Sequence, residues 1–246
     1  MLKKKRMIVL AVSLIAASMV IYGFHFLVFR DFHHIIIYAL GDLAFLPIEV
    51  LLVTLVIDRL LEASEKRAML NKLNMVIGAF FSEVGTDFMR LVFSLDAEFE
   101  KNRRHFLVTP DWTDKMFDAT RHSVANYEYK IRVTDPDLPD LKEFMVGKRE
   151  FMLRLLENPN LLEHEDFSNV LWSVFHLTEE LEARADVTEL STADYNHIAT
   201  DTKRAYVAVL AAWVDYMKHL KRSYPYLFAM AVRTNPFDPN ATAEIT

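Results

Sequence analysis

Apolar and polar positions divide the chain into two unlike parts. Residues 7–29, MIVLAVSLIAASMVIYGFHFLVF, contain no Asp, Glu, Lys or Arg, and a second apolar run covers residues 35–57. Roughly 20 apolar residues cross the hydrocarbon core as a helix, and both runs are longer than that. Only RDFHH, residues 30–34, separates them. So short a link predicts an antiparallel transmembrane hairpin over residues 1–57.

From residue 58 the charges return, and DRLLEASEKRAMLNKL extends the second helix. Beyond it Leu73, Ile77, Phe80, Val84, Phe88, Leu91 and Leu95 recur at steps of three and four, marking one face of a helix. Glu83, Asp87 and Arg90 fall off that stripe. A helix lying on a bilayer surface usually carries a basic polar face, and this one does not. The stripe is therefore expected to pack in a helical core or along a seam between subunits. Residues 58–104 read as this connecting amphipathic region.

Residues 105–234 read as a helical bundle. Thr109-Pro110-Asp111 resembles an N-cap, a first-turn proline and an acid at the positive helix end, and the helix it opens runs through Trp112 to about Lys130. VTDPDLPD, residues 133–140, is a turn-rich link, and the next helix runs to Glu157. Residues 165–186 place Phe167, Leu171, Val174, Phe175 and Leu181 on a buried side. Ser191 caps a further helix reaching about Lys221, with Asp194 where a capping box usually has Glu or Gln. Its middle, AYVAVLAAWV, is apolar all round and too short to span a membrane, so it belongs at the centre of the core. A short helix within SYPYLFAMAVRTNPF closes the bundle, and residues 235–246 are expected to be a flexible tail. The fold class expected is all-α: an N-terminal two-helix transmembrane hairpin followed by a cytoplasmic helical bundle.

Orientation follows from the basic residues. Lys3, Lys4, Lys5 and Arg6 precede the first run, while Arg59, Lys66, Arg67 and Lys72 follow the second. The positive-inside rule then puts both termini in the cytoplasm of a cell inner membrane. A cleavable signal peptide is the rival reading. Ala16-Ala17-Ser18 is a poor cleavage site, however, and the apolar run continues past it.

Two carboxylates interrupt the second run. Asp42 and Glu49 are seven residues apart, so on a helix they share a face about 10 Å apart along the axis. A charged carboxylate at mid-bilayer costs about 2.5–3.5 kcal/mol on insertion scales. Pro47 has no N–H, which frees the carbonyl of Leu43. Antiparallel pairing brings His25 to the depth of Asp42 and predicts that they pair. Glu49 finds no partner in the first span, which predicts a homo-oligomer that shelters it. The competing expectation is an oligomeric channel or transport component with Asp42, Glu49, His25 and Pro47 along a proton or cation path.

Charge and composition then exclude several classes. The net charge of −6 argues against nucleic acid as a partner. With no cysteine there is no disulfide, thiolate-bound zinc or iron–sulfur cluster. The five glycines form no phosphate-binding loop, and neither Gly-x-Ser-x-Gly nor His-Glu-x-x-His occurs. One constellation is metal-like: His176 with Glu180 and His197 with Asp201, each pair four apart on a helix. Nine histidines among 34 acids in 246 residues give roughly one such pair by chance. Ordinary packing is therefore preferred, with His176 beside Trp172 and His197 on a solvated first turn, and no cofactor is expected. Tyr224, Tyr226, Phe228 and Arg233 have two readings, a cap on the bundle core or a partner-binding patch. Taken together, these features point to a lipid-embedded, self-associating adaptor, scaffold or sensor subunit that is not an enzyme. A protein partner is expected at the cytoplasmic bundle. The channel and the metal-binding bundle are the alternatives.

Overall fold

The computed structural model describes residues 2–96, 98, 103–133, 137–158, 161 and 165–244, and they form an all-helical fold. The chain divides into two compact units, Met1–Arg67 and Ala68–Thr246.

The first unit holds α1, Leu2–Phe29, and the first part of α2, Phe32–Phe80. Arg30 ends α1 in the left-handed region at φ 50, with its N–H on the carbonyl of Phe26 at 2.8 Å. The Asp31 carboxylate then accepts the N–H of His34 at 3.1 Å, satisfying an unpaired donor of the first turn of α2. The link between the helices is thus two residues rather than the five expected. α2 stays helical through Pro47. Apolar side chains from Met7 to Leu61 stand exposed within this unit.

The second unit has a single core. α2 gives way at Phe81 to one wide π turn, Phe81–Gly85, in which the N–H of Thr86 reaches back five residues to Phe81. The extra residue turns Phe81 inward beside Phe80, while Val84, Phe88 and Met89 stay buried. α3, Thr86–Phe93, continues the run. These side chains belong to the same core cluster as the bundle, so the stripe in the region read as connecting packs inward.

Next come a 3-10 turn, Arg103–Phe106, and then α4, Asp114–Asn126. α4 starts four residues later than expected, with Thr113 rather than Thr109 before its first residue. Thr109 and Pro110 form a turn instead, with the N–H of Trp112 on the Thr109 carbonyl at 3.2 Å. Lys221 Nζ holds the carbonyls of Pro110, at 2.6 Å, and of Trp112, which keeps them out of a helix. The expected helix to Lys130 also stops early. Tyr127, Tyr129, Ile131 and Val133 turn inward by alternation, as in an extended segment. An isolated antiparallel bridge joins Ile131 to Asp96. The helix expected up to Glu157 is two helices, α5, Leu138–Gly147, and α6, Arg149–Leu156, broken at Lys148 with ψ 0.

α7, Glu165–Ala183, and α8, Thr192–Ser223, make the centre. Ser191 Oγ accepts the N–H of Asp194 at 3.2 Å and starts α8 as anticipated. Ile198, Ala205, Tyr206, Val209, Leu210, Trp213, Val214 and Met217 line its buried side. α9, Pro225–Arg233, follows. The tail expected to be flexible from residue 235 begins as core: Asn235 and Phe237 are buried. Asn235 Nδ2 donates to the Phe106 carbonyl at 2.8 Å, and its Oδ1 accepts the N–H of Phe237 at 2.9 Å.

Candidate functional site

An eight-residue connection, 184–191, joins α7 to α8, and the two pack along their length. Four steps along a helix return a side chain to the same face. His176 and Glu180 therefore share a face of α7, as His197 and Asp201 share a face of α8. The structure brings these faces together. His176 Nε2 lies 3.4 Å from Asp201 Oδ2, and His197 Nε2 lies 3.4 Å from the same oxygen and 3.3 Å from Glu180 Oε2. Ligand atoms of His176, Glu180 and Asp201 all fall within 4.8 Å of one another.

The environments of the four differ. The Asp201 side chain is 2 % exposed, while those of His176 and His197 are 44 % and 51 % exposed. Asp201 Oδ1 accepts from Arg204 Nη1 at 2.8 Å, and Oδ2 receives no hydrogen bond from any described residue. Glu180 Oε2 accepts from Arg184 Nη1 at 2.8 Å, and that guanidinium also reaches Asp194 at 3.2 Å. The Arg184 hydrogen bond holds the Glu180 carboxyl below its ordinary range, with His197 and His176 adding to the effect. Asp194 is held low by Ser191 and then by Arg184. The arrangement offers two imidazole nitrogens and two carboxylates at one mouth, a donor set suited to a cation.

In the first unit the expected His25–Asp42 pair does not form. His25 stacks on His34 instead, with centroids 6.0 Å apart and planes 6° from parallel. The two-residue turn places His34 one helical turn from Tyr38, whose ring it meets edge-on at 4.7 Å. Asp42 lines the same cleft of about 260 Å³ with Tyr22, His25, His34, Ile35 and Tyr38. Glu49 is exposed within this unit, and so is Pro47. On α9 the aromatic group is split. Phe228 is buried and Tyr224 lies edge-on to His219, while Tyr226 is 71 % exposed. Arg233 Nη2 contacts Met230 Sδ at 3.6 Å.

Two family models cover most of the chain. Residues 2–61 match the MJ1433 N-terminal helical domain, and residues 69–233 match the C-terminal helical domain of the uncharacterized protein MJ1433. The chain belongs to the MJ1433 family. It is 41 % identical over 235 residues to the uncharacterized protein MJ1433 of Methanocaldococcus jannaschii, covering 96 % of this chain and 94 % of that one. No solved structure matches it.

In this MJ1433-family chain one feature escaped the sequence reading. A cavity of about 480 Å³ opens between the end of α2, α4, α7 and α8. Leu73, Ile77, Phe167, Val170, Ala208 and Ala212 form its apolar wall, and the Arg121–Asp215 ion pair, at 3.1 Å, sits at its rim. Its walls come from four helices, of which the end of α2 and α4 are remote in sequence from α7 and α8. Only the small residues Ala208, Ala211 and Ala212 on α8 hinted at a hollow.

Proposed function

We propose that this MJ1433-family chain is a multi-pass membrane protein with both termini in the cytoplasm. Its helical second unit acts by binding a protein partner rather than by catalysis, and its spans self-associate. The observation that carries this reading lies in the first unit. Arg6–Phe29 and Phe32–Glu65 are long and apolar enough, by length and composition, to cross a membrane, and no part of their most apolar stretches is buried in the chain. In water such exposure costs about 25 cal/mol for every Å² of apolar surface. Lipid removes that cost. Two family domains meeting between residues 61 and 69 support a separate anchor and effector.

The chain has no cysteine, so single-cysteine labelling is clean. A cysteine at Ala241 is expected to react with an impermeant maleimide only after cells are lysed. Labelling in intact cells, or recovery of the full-length protein in the soluble fraction, overturns the topology. The mass of the intact complex in mild detergent reads self-association, and a single-copy mass ends that part.

The cleft of Tyr22, His25, His34, Tyr38 and Asp42 favours a second reading, an oligomeric cation or proton path. Flux through liposomes holding the purified protein, abolished by Glu49→Gln, would replace the binding role with transport.

A further inference from the structure

We propose that His176, Glu180, His197 and Asp201 form a mononuclear site for a first-row divalent cation of the zinc class. All four lie in the second unit, so the proposal goes beyond the membrane reading and does not depend on it.

Register is the first ground. Residue 176 meets 201 and residue 180 meets 197, the cross-pairing of antiparallel helices. In this register the His-x-x-x-acid motifs on the two antiparallel helices face each other head to tail. Each imidazole then meets the opposite carboxylate, and His176, Glu180 and Asp201 bring ligand atoms within 4.8 Å of one another from only two elements, with His197 beside the two carboxylates.

Spacing is the second. Zinc bonds to imidazole and carboxylate measure about 2.0–2.1 Å, so the edges of a tetrahedron around the ion are about 3.3–3.4 Å. Three of the six donor–donor separations here are 3.4, 3.4 and 3.3 Å; His197 lies outside the group of His176, Glu180 and Asp201 whose ligand atoms fall within 4.8 Å of one another, and its half-exposed side chain shifts to complete the cage. The three separations are long for hydrogen bonds, which centre near 2.9 Å for N–H···O. They suit atoms that share an ion rather than a proton.

The buried carboxylate is the third. Asp201 is almost wholly buried, and its Oδ2 points at both imidazoles while accepting no hydrogen bond from the described residues. A buried acceptor without a partner is costly, and a cation satisfies it. Arg204 fixes the other oxygen at 2.8 Å, the kind of outer hydrogen bond that orients a metal-binding carboxylate. Arg184 occupies Glu180 Oε2 but also reaches Asp194. It keeps a partner when the ion takes that oxygen. The half-exposed imidazoles leave a route in from solvent.

Donor chemistry chooses the ion. Calcium and magnesium take six or more oxygens. Two nitrogens and two carboxylate oxygens in a four-coordinate cage suit zinc, and cobalt(II) reports on such a site. Four donors serve one ion and are too few for a pair.

The test uses the full-length protein in detergent, stripped with chelator and titrated with ZnCl2 and CoCl2. One zinc per chain by elemental analysis is expected. Cobalt(II) should give the intense visible bands of tetrahedral coordination, and zinc should raise the melting temperature. His176→Gln, His197→Gln and Asp201→Asn should each weaken zinc binding about 100-fold or more, and Arg204→Ala about 10- to 100-fold. Circular dichroism confirms that each variant is folded, and the two partly exposed histidine variants keep the test valid if Asp201→Asn is not. A variant lacking His25, His33 and His34 should bind as the wild type does. Absence of saturable binding overturns the proposal, as does binding that survives His176→Gln and His197→Gln or that vanishes with the hairpin histidines.

Discussion

Phe237 stands edge-on to Trp213, ring centroids 5.2 Å apart and planes at 82°. Phe106 and Phe93 close around the same ring at 5.2 and 5.8 Å. A residue near the carboxyl end is thereby a plug in the floor of the bundle. Phe237→Ala is expected to cost about 3–5 kcal/mol of stability, the range for deleting a buried aromatic ring. Urea unfolding in detergent measures it. A loss below about 1 kcal/mol would return residues 235–237 to the tail.

Gly85 sits in the π turn where no side chain fits. A Cβ there would lie 2.5 Å from Phe81 Cδ1 and 2.9 Å from Phe80 Cε1. Phe81 cannot give way easily, because its ring is stacked on Tyr216 at 5.1 Å and 17° from parallel. Gly85→Ala should therefore destabilise by about 1–3 kcal/mol, although the same change in an open helix gains about 1 kcal/mol. Thermal melting decides between these, and a melting temperature at or above the wild type's refutes the packing described.

Ser191 caps α8, the longest helix of the second unit. Ser191→Ala should cost about 1 kcal/mol and Ser191→Gly only a few tenths. The contrast matters, since loss of a generic contact would make the two variants alike. Chemical denaturation midpoints compare them.

His219 supplies a pH dependence. Its Nδ1 accepts from Asn74 Nδ2 at 3.3 Å, and burial, with Arg222 nearby, pushes its pKa below the ordinary 6.5. The unfolded chain then takes up the proton at higher pH than the folded one. Stability that depends on neutral His219 is complete above about pH 6.5 and is lost as pH falls through the lower folded value. His219→Gln should flatten this part of the stability–pH curve, the wild type's advantage over the variant being greatest above about pH 6.5 and shrinking on the acid side. Parallel curves for the two proteins would contradict it.

The all-helical class and the α7–α8 pair were legible because their apolar residues recur with the helical period and Ser191 marks a start. The segment from Tyr127 to Val133 misled. Its strict alternation is an extended-chain signal, but it stood next to a helix pattern and its bridge partner, Asp96, lies far back in the chain. Thr109-Pro110 carried a genuine helix-start composition, and a lysine on α8 captured the carbonyls instead. The candidate site shows a different limit. Spacing of four within each helix is visible in a sequence, whereas the register between two helices is not, so two ordinary pairs could not be told from one cluster. Phe237 was lost for the same reason: three separate elements make its socket.

The link Arg30–Asp31 leaves the two N-terminal helices almost no slack. Three Cα–Cα steps join Phe29 to Phe32, about 11 Å at full stretch, little more than the 8–10 Å between the axes of packed helices. The left-handed bend at Arg30 and the cap at Asp31 turn the chain within that length. At this end the helices are yoked, and a sideways pull on one is delivered directly to the other.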